Sequence, residues 1–295
     1  MLARPGLPSF DYVRATSLDE VVRLLQTHGN SARLFMGGTD VLVRMRDGLI
    51  QPQMLLDLKY LPGMRDVVYD ERVGLRIGAA ATLNQIAGHP QVQAHYSPLA
   101  QAASSVASYP LRNRATLGGN LCNASPAADT APATLVLEGR MVFHGPNGER
   151  ELPASQFFLG PGRTALQPGE FTVAVRFPAP PAGAVGRYLK LGRNKAGDLS
   201  IAGVAVWGYP DGNTPSGYRF HIALASVAPL PLRATEAEQV LAANPPGEAV
   251  FVTAAEKAKQ AASPIDDLRA SAAYRREMVR NLTLQGLRQV WQELR

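Results

Sequence analysis

The chain has 295 residues, of which 46% are hydrophobic and 18% are charged, as in globular proteins large enough for two or three domains. The formal charge of +6 is scattered and not interleaved with aromatic residues, which favours a solvated surface over nucleic-acid binding. The single cysteine, Cys122, excludes an internal disulfide and an iron–sulfur cluster held only by cysteines of this chain. The five histidines lack metal-ligand spacing, and neither a signal-peptide core nor a membrane span occurs, so a cytoplasmic location is expected.

Residues 1–55 predict a small αβ subdomain. The sequence at 17–20, Ser-Leu-Asp-Glu, is a capping box, and apolar residues at helical spacing follow it until the next glycine. A short strand is expected at 33–36, where it runs into a tight turn. Short β or turn segments are expected at 42–45 and 54–58.

Residues 56–178 predict a second αβ subdomain. Alternating apolar residues at 73–77 indicate a half-buried strand, and Thr82 is placed to cap the helix that follows. A stretch at 98–108 that is rich in Ala and Ser predicts a closely packed helix. Further strands are expected at 135–137, 141–144 and 171–177.

The last part of the chain predicts a separate α+β domain over residues 184–295. The stretch at 178–183 has the proline-rich composition of a domain linker. Strands come first and helices follow, which is the order of an α+β arrangement. Strands are expected at 186–191, 201–209 and 218–226, and helices at 236–243, 249–261 and 273–292.

Two glycine pairs carry the chemical signal of the sequence. The first glycine segment, residues 36–40, is Met-Gly-Gly-Thr-Asp, and the second glycine segment, residues 115–120, is Ala-Thr-Leu-Gly-Gly-Asn. Each predicts a tight turn with outward-pointing backbone N–H groups, because glycine allows positive φ and lets another molecule approach the main chain. Two such turns can grip one anionic group, such as a pyrophosphate. Neither fits Gly-x-Gly-x-x-Gly and no Walker lysine follows, which argues against a Rossmann site or a P-loop.

The chain resembles the FAD-binding medium subunits of molybdenum hydroxylases, the group of carbon monoxide dehydrogenase, xanthine dehydrogenase and 4-hydroxybenzoyl-CoA reductase. The first glycine segment is similar to the family's Ala-Gly-Gly-Thr-Asp, with Met36 in place of the usual small residue. Residues 112–120, Arg-Asn-Arg-Ala-Thr-Leu-Gly-Gly-Asn, are similar to its Arg-Asn-x-x-Thr-Ile-Gly-Gly-Asn. Further similar motifs follow the family's order along nearly the whole chain, at 78–82, 123–129, 188–190 and 267–276.

The resemblance implies a fold and a set of partners. Two αβ subdomains would enclose an extended FAD, as in flavoproteins of the vanillyl-alcohol oxidase (PCMH) type, and a C-terminal domain would consist of a small antiparallel sheet and helices. The chain would be an oxidoreductase subunit with no acid–base residue of its own. Its FAD would take electrons from [2Fe–2S] centres of a small subunit and pass them to an external acceptor. A large subunit would carry molybdenum and a pterin, in a dimer of heterotrimers.

The resemblance also implies the cofactor-binding residues. Backbone amides of both glycine segments would bind the pyrophosphate, with help from the hydroxyls of Thr39 and Thr116. Asp129 would accept hydrogen bonds from ribityl or ribose hydroxyls, and Lys190 would stabilise negative charge on the reduced ring. The simpler alternatives are turn capping for the threonines, a solvent-facing turn for Asp129 and a surface position for Lys190. The expected set is Phe35, Met36, Gly37, Gly38, Thr39, Asp40, Ala80, Ala81, Thr82, Thr116, Leu117, Gly118, Gly119, Asn120, Asp129 and Lys190.

Two features depart from the family. The single cysteine excludes the cysteine-rich insertion that holds an extra cluster in several relatives. The loop at 193–198 lacks the aromatic residue that relatives often place beside the isoalloxazine, so the residue that covers the ring stays open. Two other functions also stay open: a stand-alone FAD oxidase of this fold, and a flavin-binding module without turnover. The large subunit would select the substrate, and the acceptor could be NAD, a quinone or oxygen.

Overall fold

The computed structural model describes residues 6–194 and 197–295. Helices and strands are mixed along the chain, which confirms the predicted α+β class. The described strands form three sheets and one short ribbon. The expectations for the first five residues, and for Lys195 and Ala196 in the loop without an aromatic residue, lie outside the described residues. None of the helices in the described part of the chain has the length and apolarity needed to cross a membrane.

A three-stranded parallel sheet and two helices form the N-terminal part of the fold. The elements are β1 (Asp11–Arg14), α1 (Leu18–His28), β2 (Ala32–Phe35), α2 (Val41–Arg46) and β3 (Met54–Asp57). The strand order is β1-β3-β2, with both pairs parallel. Helix α1 begins as predicted, because the Ser17 hydroxyl accepts a hydrogen bond from the Glu20 amide at 3.1 Å. The Glu20 carboxylate in turn accepts from the Thr16 amide at 2.7 Å, one residue before the cap.

The expectation of a short strand or turn at 42–45 is wrong, because these residues belong to α2. The Leu42 amide donates to the Gly38 carbonyl at 3.1 Å, so the helix starts directly from the first glycine segment. Met45 is buried one turn further on and packs against Phe35. A short apolar run fits a strand and a buried helix equally well, and the packing of the helix onto the sheet decides between them.

A five-stranded antiparallel sheet and six short helices follow. The strands of this region are β4 (Val67–Asp70), β5 (Gly74–Gly78), β6 (Arg140–Gly145), β7 (Gly148–Pro153), β8 (Phe158–Gly160), β9 (Arg163–Thr164) and β10 (Phe171–Phe177). Its helices are α3 (Leu83–Gly88), α4 (Pro90–His95), α5 (Ser97–Ser105), α6 (Tyr109–Arg112), α7 (Leu117–Cys122) and α8 (Thr130–Val136). The sheet order is β4-β5-β10-β6-β7, and β8 pairs with β9 in the ribbon.

Two expectations for this region are wrong. The second glycine segment is not a turn, because Thr116 caps α7 and both glycines lie in its first turn. Residues 135–137 are not a strand, because they form the end and cap of α8. All seven residues of α8 are buried. A helix that is buried on every side has no amphipathic pattern, so its apolar run also matches the pattern of a buried strand.

The C-terminal part forms a four-stranded antiparallel sheet with three helices, and every strand and helix predicted there is present. The elements are β11 (Val185–Leu191), β12 (Ala202–Pro210), β13 (Tyr218–Ala225), β14 (Leu232–Arg233), α9 (Thr235–Ala243), α10 (Glu248–Ala261) and α11 (Ala272–Leu294). Alternate residues of β12 enter two different cores. Val204 and Val206 pack with α9, α10 and α11, whereas Ala205 and Trp207 join the core that contains α5 and α8. The C-terminal sheet is therefore packed directly onto the preceding region.

Candidate cofactor-binding site

The two glycine segments lie against each other in the folded chain. A Cβ atom on Gly37 would lie 2.3 Å from the carbonyl oxygen of Arg114 and 3.1 Å from the Cα of Ala115. The side chain of Asn123 donates to the Asp40 carboxylate at 3.2 Å, which ties the first glycine segment to the end of α7 a second time. Glycine at position 37 is therefore required for the contact between the two segments.

The first glycine segment leaves a row of backbone donors without partners. The amides of Gly37, Gly38, Thr39 and Asp40 have no acceptor within residues 6–194 and 197–295. Gly38 has φ +74, and a Cβ there would lie 2.6 Å from the ring of Phe35. The segment is half-buried up to Thr39 and becomes exposed at Asp40. Four adjacent free amides with no Cβ on the first two suit the oxygens of a diphosphate.

The second glycine segment differs from the sequence prediction, because its amides are already used. Gly118 donates to the Ala79 carbonyl at 2.9 Å, and Gly119 donates to the Thr116 hydroxyl at 3.1 Å. The Asn120 amide donates to the Thr116 carbonyl at 2.9 Å. The expectation of outward-pointing N–H groups is wrong for this segment. Thr116 acts as a helix cap here, which was the simpler alternative.

Close packing explains the glycine at position 118. A Cβ on Gly118 would lie 2.7 Å from both the Cβ and the carbonyl oxygen of Ala79. The backbone of Leu117 also donates to the Ala81 carbonyl at 3.1 Å. The predicted stretch 80–82 is thereby joined to the second glycine segment. Ala80, Ala81 and Leu117 are fully buried as whole residues, backbone included.

Asp129 and Lys190 form a buried ion pair. The Lys190 ammonium donates to Asp129 Oδ2 at 2.7 Å and to the Ser105 carbonyl at 3.0 Å. The Tyr188 hydroxyl donates to Asp129 Oδ1 at 2.7 Å. The side chains of Asp129 and Lys190 are 6% and 14% exposed, so the alternatives of a solvent-facing aspartate and a surface lysine are both wrong.

The Asp129 carboxylate is strongly affected by its surroundings. Burial raises the pKa of Asp129, and the charge and hydrogen bond of Lys190 partly oppose that rise. Burial, together with the neighbouring carboxylate, raises the pKa of the Tyr188 hydroxyl well above its usual value. The pair joins β11 of the C-terminal sheet to the start of α8. Tyr188 belongs to the motif at 188–190, but no pattern in the sequence indicates that its hydroxyl meets Asp129.

Charged and aromatic side chains line the carboxyl edge of the parallel sheet, where the first glycine segment also begins. Asp57 is fully buried and accepts hydrogen bonds from Lys59 Nζ at 2.7 Å and from the Tyr12 hydroxyl. Burial alone would raise the pKa of Asp57, but these hydrogen bonds outweigh it and lower that pKa. The hydrogen bond to Asp57 raises the pKa of Tyr12 to about 12. The Arg14 guanidinium stacks 3.5 Å from the ring centroid of Tyr60. Ligands of parallel sheets bind at this edge.

The side chains of Arg112 and Asn113 make hydrogen bonds within the chain. Arg112 donates through Nε to the Asn84 side chain at 3.0 Å and through Nη1 to the Val106 carbonyl at 2.9 Å. The Asn84 side chain donates to Asn113 at 2.7 Å. These bonds fix the stretch that leads into α7. A cavity of about 550 Å³, lined by residues such as Arg176, lies elsewhere and includes none of the predicted site residues.

Comparison with known proteins gives a consistent result. The family model described as "FAD binding domain in molybdopterin dehydrogenase" matches residues 8–180, and "CO dehydrogenase flavoprotein C-terminal domain" matches residues 187–290. The carbon monoxide dehydrogenase medium chain of Hydrogenophaga pseudoflava is 36% identical, covering 96% of this chain and 98% of its own. A putative xanthine dehydrogenase FAD-binding subunit of Escherichia coli is 33% identical, covering 92% of each.

Solved structures agree with the sequence matches. The carbon monoxide dehydrogenase of Hydrogenophaga pseudoflava that lacks the Mo-pyranopterin moiety contains a chain that superposes with a TM-score of 0.92 at 34% identity. The match covers 98% of this chain and 99% of that chain. A chain of quinoline 2-oxidoreductase from Pseudomonas putida superposes with a TM-score of 0.89 at 27% identity, over 98% and 99% of the two chains.

Proposed function

This chain belongs to the family of FAD-binding medium subunits of molybdenum hydroxylases, and we propose that it is the electron-transfer subunit of such an enzyme. Membership confirms the resemblance that the motifs indicated, and it makes the protein a subunit of an oxidoreductase. In the proposed complex, electrons enter from [2Fe–2S] centres of a small subunit and leave to an external acceptor. A large subunit with molybdenum and a pterin oxidises the substrate.

The free amides of residues 37–40 carry this proposal. They are four adjacent donors that the rest of the described chain leaves unused, at the carboxyl edge of a parallel sheet. We propose that they bind the diphosphate of FAD, with Arg14 and Lys59 supplying positive charge nearby. Arg114 and Ala115 support the segment from behind, because they contact Gly37 directly. The second glycine segment would help to bind FAD by supporting the first segment, and not by donating from its own amides.

The buried pair of Asp129 and Lys190 supports a role in tuning the cofactor. When bound, FAD supplies chemistry that exchanges electrons both singly and in pairs. We propose that Lys190 holds a positive charge beside the ring, and that Asp129 fixes its position and offers further acceptor sites to cofactor hydroxyls. A carboxylate oxygen has two lone pairs, so the hydrogen bonds to Tyr188 and Lys190 leave acceptor capacity on Asp129.

The relatives support the proposed partners. Their names include medium chains and FAD-binding subunits of dehydrogenases, and one solved relative is named for copper and molybdenum. We propose a dimer of heterotrimers in the cytoplasm, with the small iron–sulfur subunit and the large molybdopterin subunit as partners of this chain.

Co-purification tests the proposal. The chain is expressed with a tag, together with the products of its neighbouring genes, and the purified material is assayed for FAD, iron and molybdenum. A yellow complex with all three cofactors, whose flavin bleaches only when the large subunit receives its substrate, supports electron transfer. A yellow chain without partners that bleaches directly with an organic substrate would identify a stand-alone oxidase. A colourless chain that does not take up added FAD would contradict cofactor binding altogether.

A further inference from the structure

An arginine near the start of the last helix is almost completely buried. Arg275 is 2% exposed and lies in the first turn of α11. Its Nη1 donates to the carbonyls of Ile201 at 2.9 Å and Ser226 at 2.8 Å, and its Nη2 donates to Asp267 at 2.6 Å. Its Nε is buried without a partner in the described part of the chain, so the two terminal nitrogens make all of these hydrogen bonds. One side chain therefore ties α11 to the ends of two different strands.

The first of these contacts lies at the end of the loop that follows Lys190 and Leu191. The Ile201 amide donates to the Leu191 carbonyl at 2.7 Å and thereby closes the loop between β11 and β12. Lys190 is the residue before Leu191 on β11. The bond from Arg275 to Ile201 therefore fixes the point where this loop returns to the sheet. Ile201 is bonded there to Leu191, which is the residue next to Lys190.

The second contact leads to Asp129. Ser226 follows β13 and has φ +67, a conformation that non-glycine residues rarely adopt. Its amide donates to the Pro126 carbonyl at 2.7 Å, in the loop that carries Asp129 into α8. Such a conformation is strained and persists only where the surrounding structure holds it. The bond from Arg275 to the Ser226 carbonyl is one of the contacts that hold it.

Asp267 is the counter-ion of Arg275, and its carboxylate stays ionised. Burial alone would raise the pKa of Asp267, but hydrogen bonds from Arg269, from backbone amides and from Arg275 outweigh it and lower that pKa. Arg269 donates to the same carboxylate at 2.6 Å. Asp267 is therefore ionised at neutral pH, and the guanidinium is both neutralised and oriented.

We propose that Arg275 is a positioning residue for the flavin site. Its guanidinium holds the backbone at Ile201 and at Ser226, and through them the two segments that bring Lys190 and Asp129 together. The residue does not touch the cofactor. The inference depends on the proposed function, since it concerns the same FAD site, and it assigns the correct placement of the Lys190 ammonium to a residue of α11.

Two variants of Arg275 test this inference in the holoprotein. Arg275→Met removes all the donors and keeps an unbranched side chain, whereas Arg275→Lys keeps the charge but loses the planar fork that reaches two carbonyls and a carboxylate. Two controls lie on the same helix. Arg276→Met removes an exposed charge next to the site, and Arg280→Met removes an ion pair with Glu256.

Three measurements are made on each protein: the dissociation constant of FAD, the midpoint potential of the bound flavin and the unfolding temperature. We expect Arg275→Met to weaken FAD binding by at least about 10-fold, or ~1.4 kcal/mol, and to make the potential more negative, because the lysine is no longer held in place. Arg275→Lys is expected to change both in the same direction by a smaller amount. The controls are expected to change the unfolding temperature only.

The outcomes separate the possibilities. If the Arg275 variants lower the unfolding temperature like Arg280→Met but keep the wild-type affinity and potential, the residue is only structural and the inference is overturned. If Arg275→Met does not fold, Arg275→Lys decides, and wild-type values in that variant overturn the inference equally. Failure of the wild-type chain to bind FAD would contradict the proposed function itself, which is a different result from any difference among the variants.

Discussion

Replacement of Gly37 by alanine tests the contact between the glycine segments. The new Cβ would lie 2.3 Å from the Arg114 carbonyl oxygen, about 1 Å closer than ordinary van der Waals contact allows. The obstructing atoms belong to the backbone, so a side-chain rotation cannot relieve the clash. Gly37 itself does not have positive φ, so the effect is steric and not a matter of backbone strain. The first glycine segment must therefore move away from residues 114–115.

Two magnitudes follow from this displacement. Overpacking of a well-packed contact costs about 1–3 kcal/mol in stability. The amides of residues 37–40 are proposed to donate to a charged diphosphate, and each such hydrogen bond is worth about 1.5–3 kcal/mol. Loss of one of them weakens FAD binding at least about 10-fold. We therefore expect Gly37→Ala to lose FAD affinity to a greater extent than its modest loss of stability would suggest.

The assay is a titration of apoprotein with FAD, followed by quenching of flavin fluorescence, with thermal unfolding measured in parallel. Gly88→Ala is the matched control, because a Cβ on Gly88 meets nothing within 4 Å. The control should bind FAD like the wild type. If Gly37→Ala also binds FAD like the wild type while its unfolding temperature falls, the segment packs as described but does not hold the cofactor.

Three further predictions concern stability. Ser17→Ala removes the cap of α1 and should lower stability by about 1 kcal/mol in thermal unfolding; no change would show that the cap is dispensable. Glu138→Gly should raise stability by about 0.5–1 kcal/mol, because Glu138 has φ +54 just after α8, and a loss would mean that its side chain makes a stabilising contact. Hydrogen bonds from Arg150 lower the pKa of Glu170, so this pair stabilises the fold above the unfolded pKa and loses its effect as the pH falls through the folded value. Glu170→Gln should therefore cost about 1 kcal/mol at pH 7 and progressively less below about pH 4.5, and a penalty independent of pH would contradict this origin.

The sequence alone determined the features that depend on local physical chemistry. The cap at Ser17, the strands of the C-terminal sheet and its three helices follow from hydrogen-bonding side chains and apolar segments near in sequence. The motifs also sufficed to indicate the family, since motif residues and their order are properties of the sequence itself. The residues proposed to contact FAD remain predictions.

Tertiary packing decided the rest. The helix at Val41–Arg46 and the helix at Thr130–Val136 are short apolar runs whose form depends on the surfaces that bury them. Which glycine segment keeps its amides free was also invisible in the sequence, because both contain the same Gly-Gly pair. In the fold, the Gly118 amide is hydrogen-bonded to the Ala79 carbonyl. Gly37 instead packs closely against the backbone of Arg114, which is possible because it has no Cβ, and its amide stays free. The pairing of Asp129 with Lys190 joins residues 61 positions apart, and only the fold can bring such residues together.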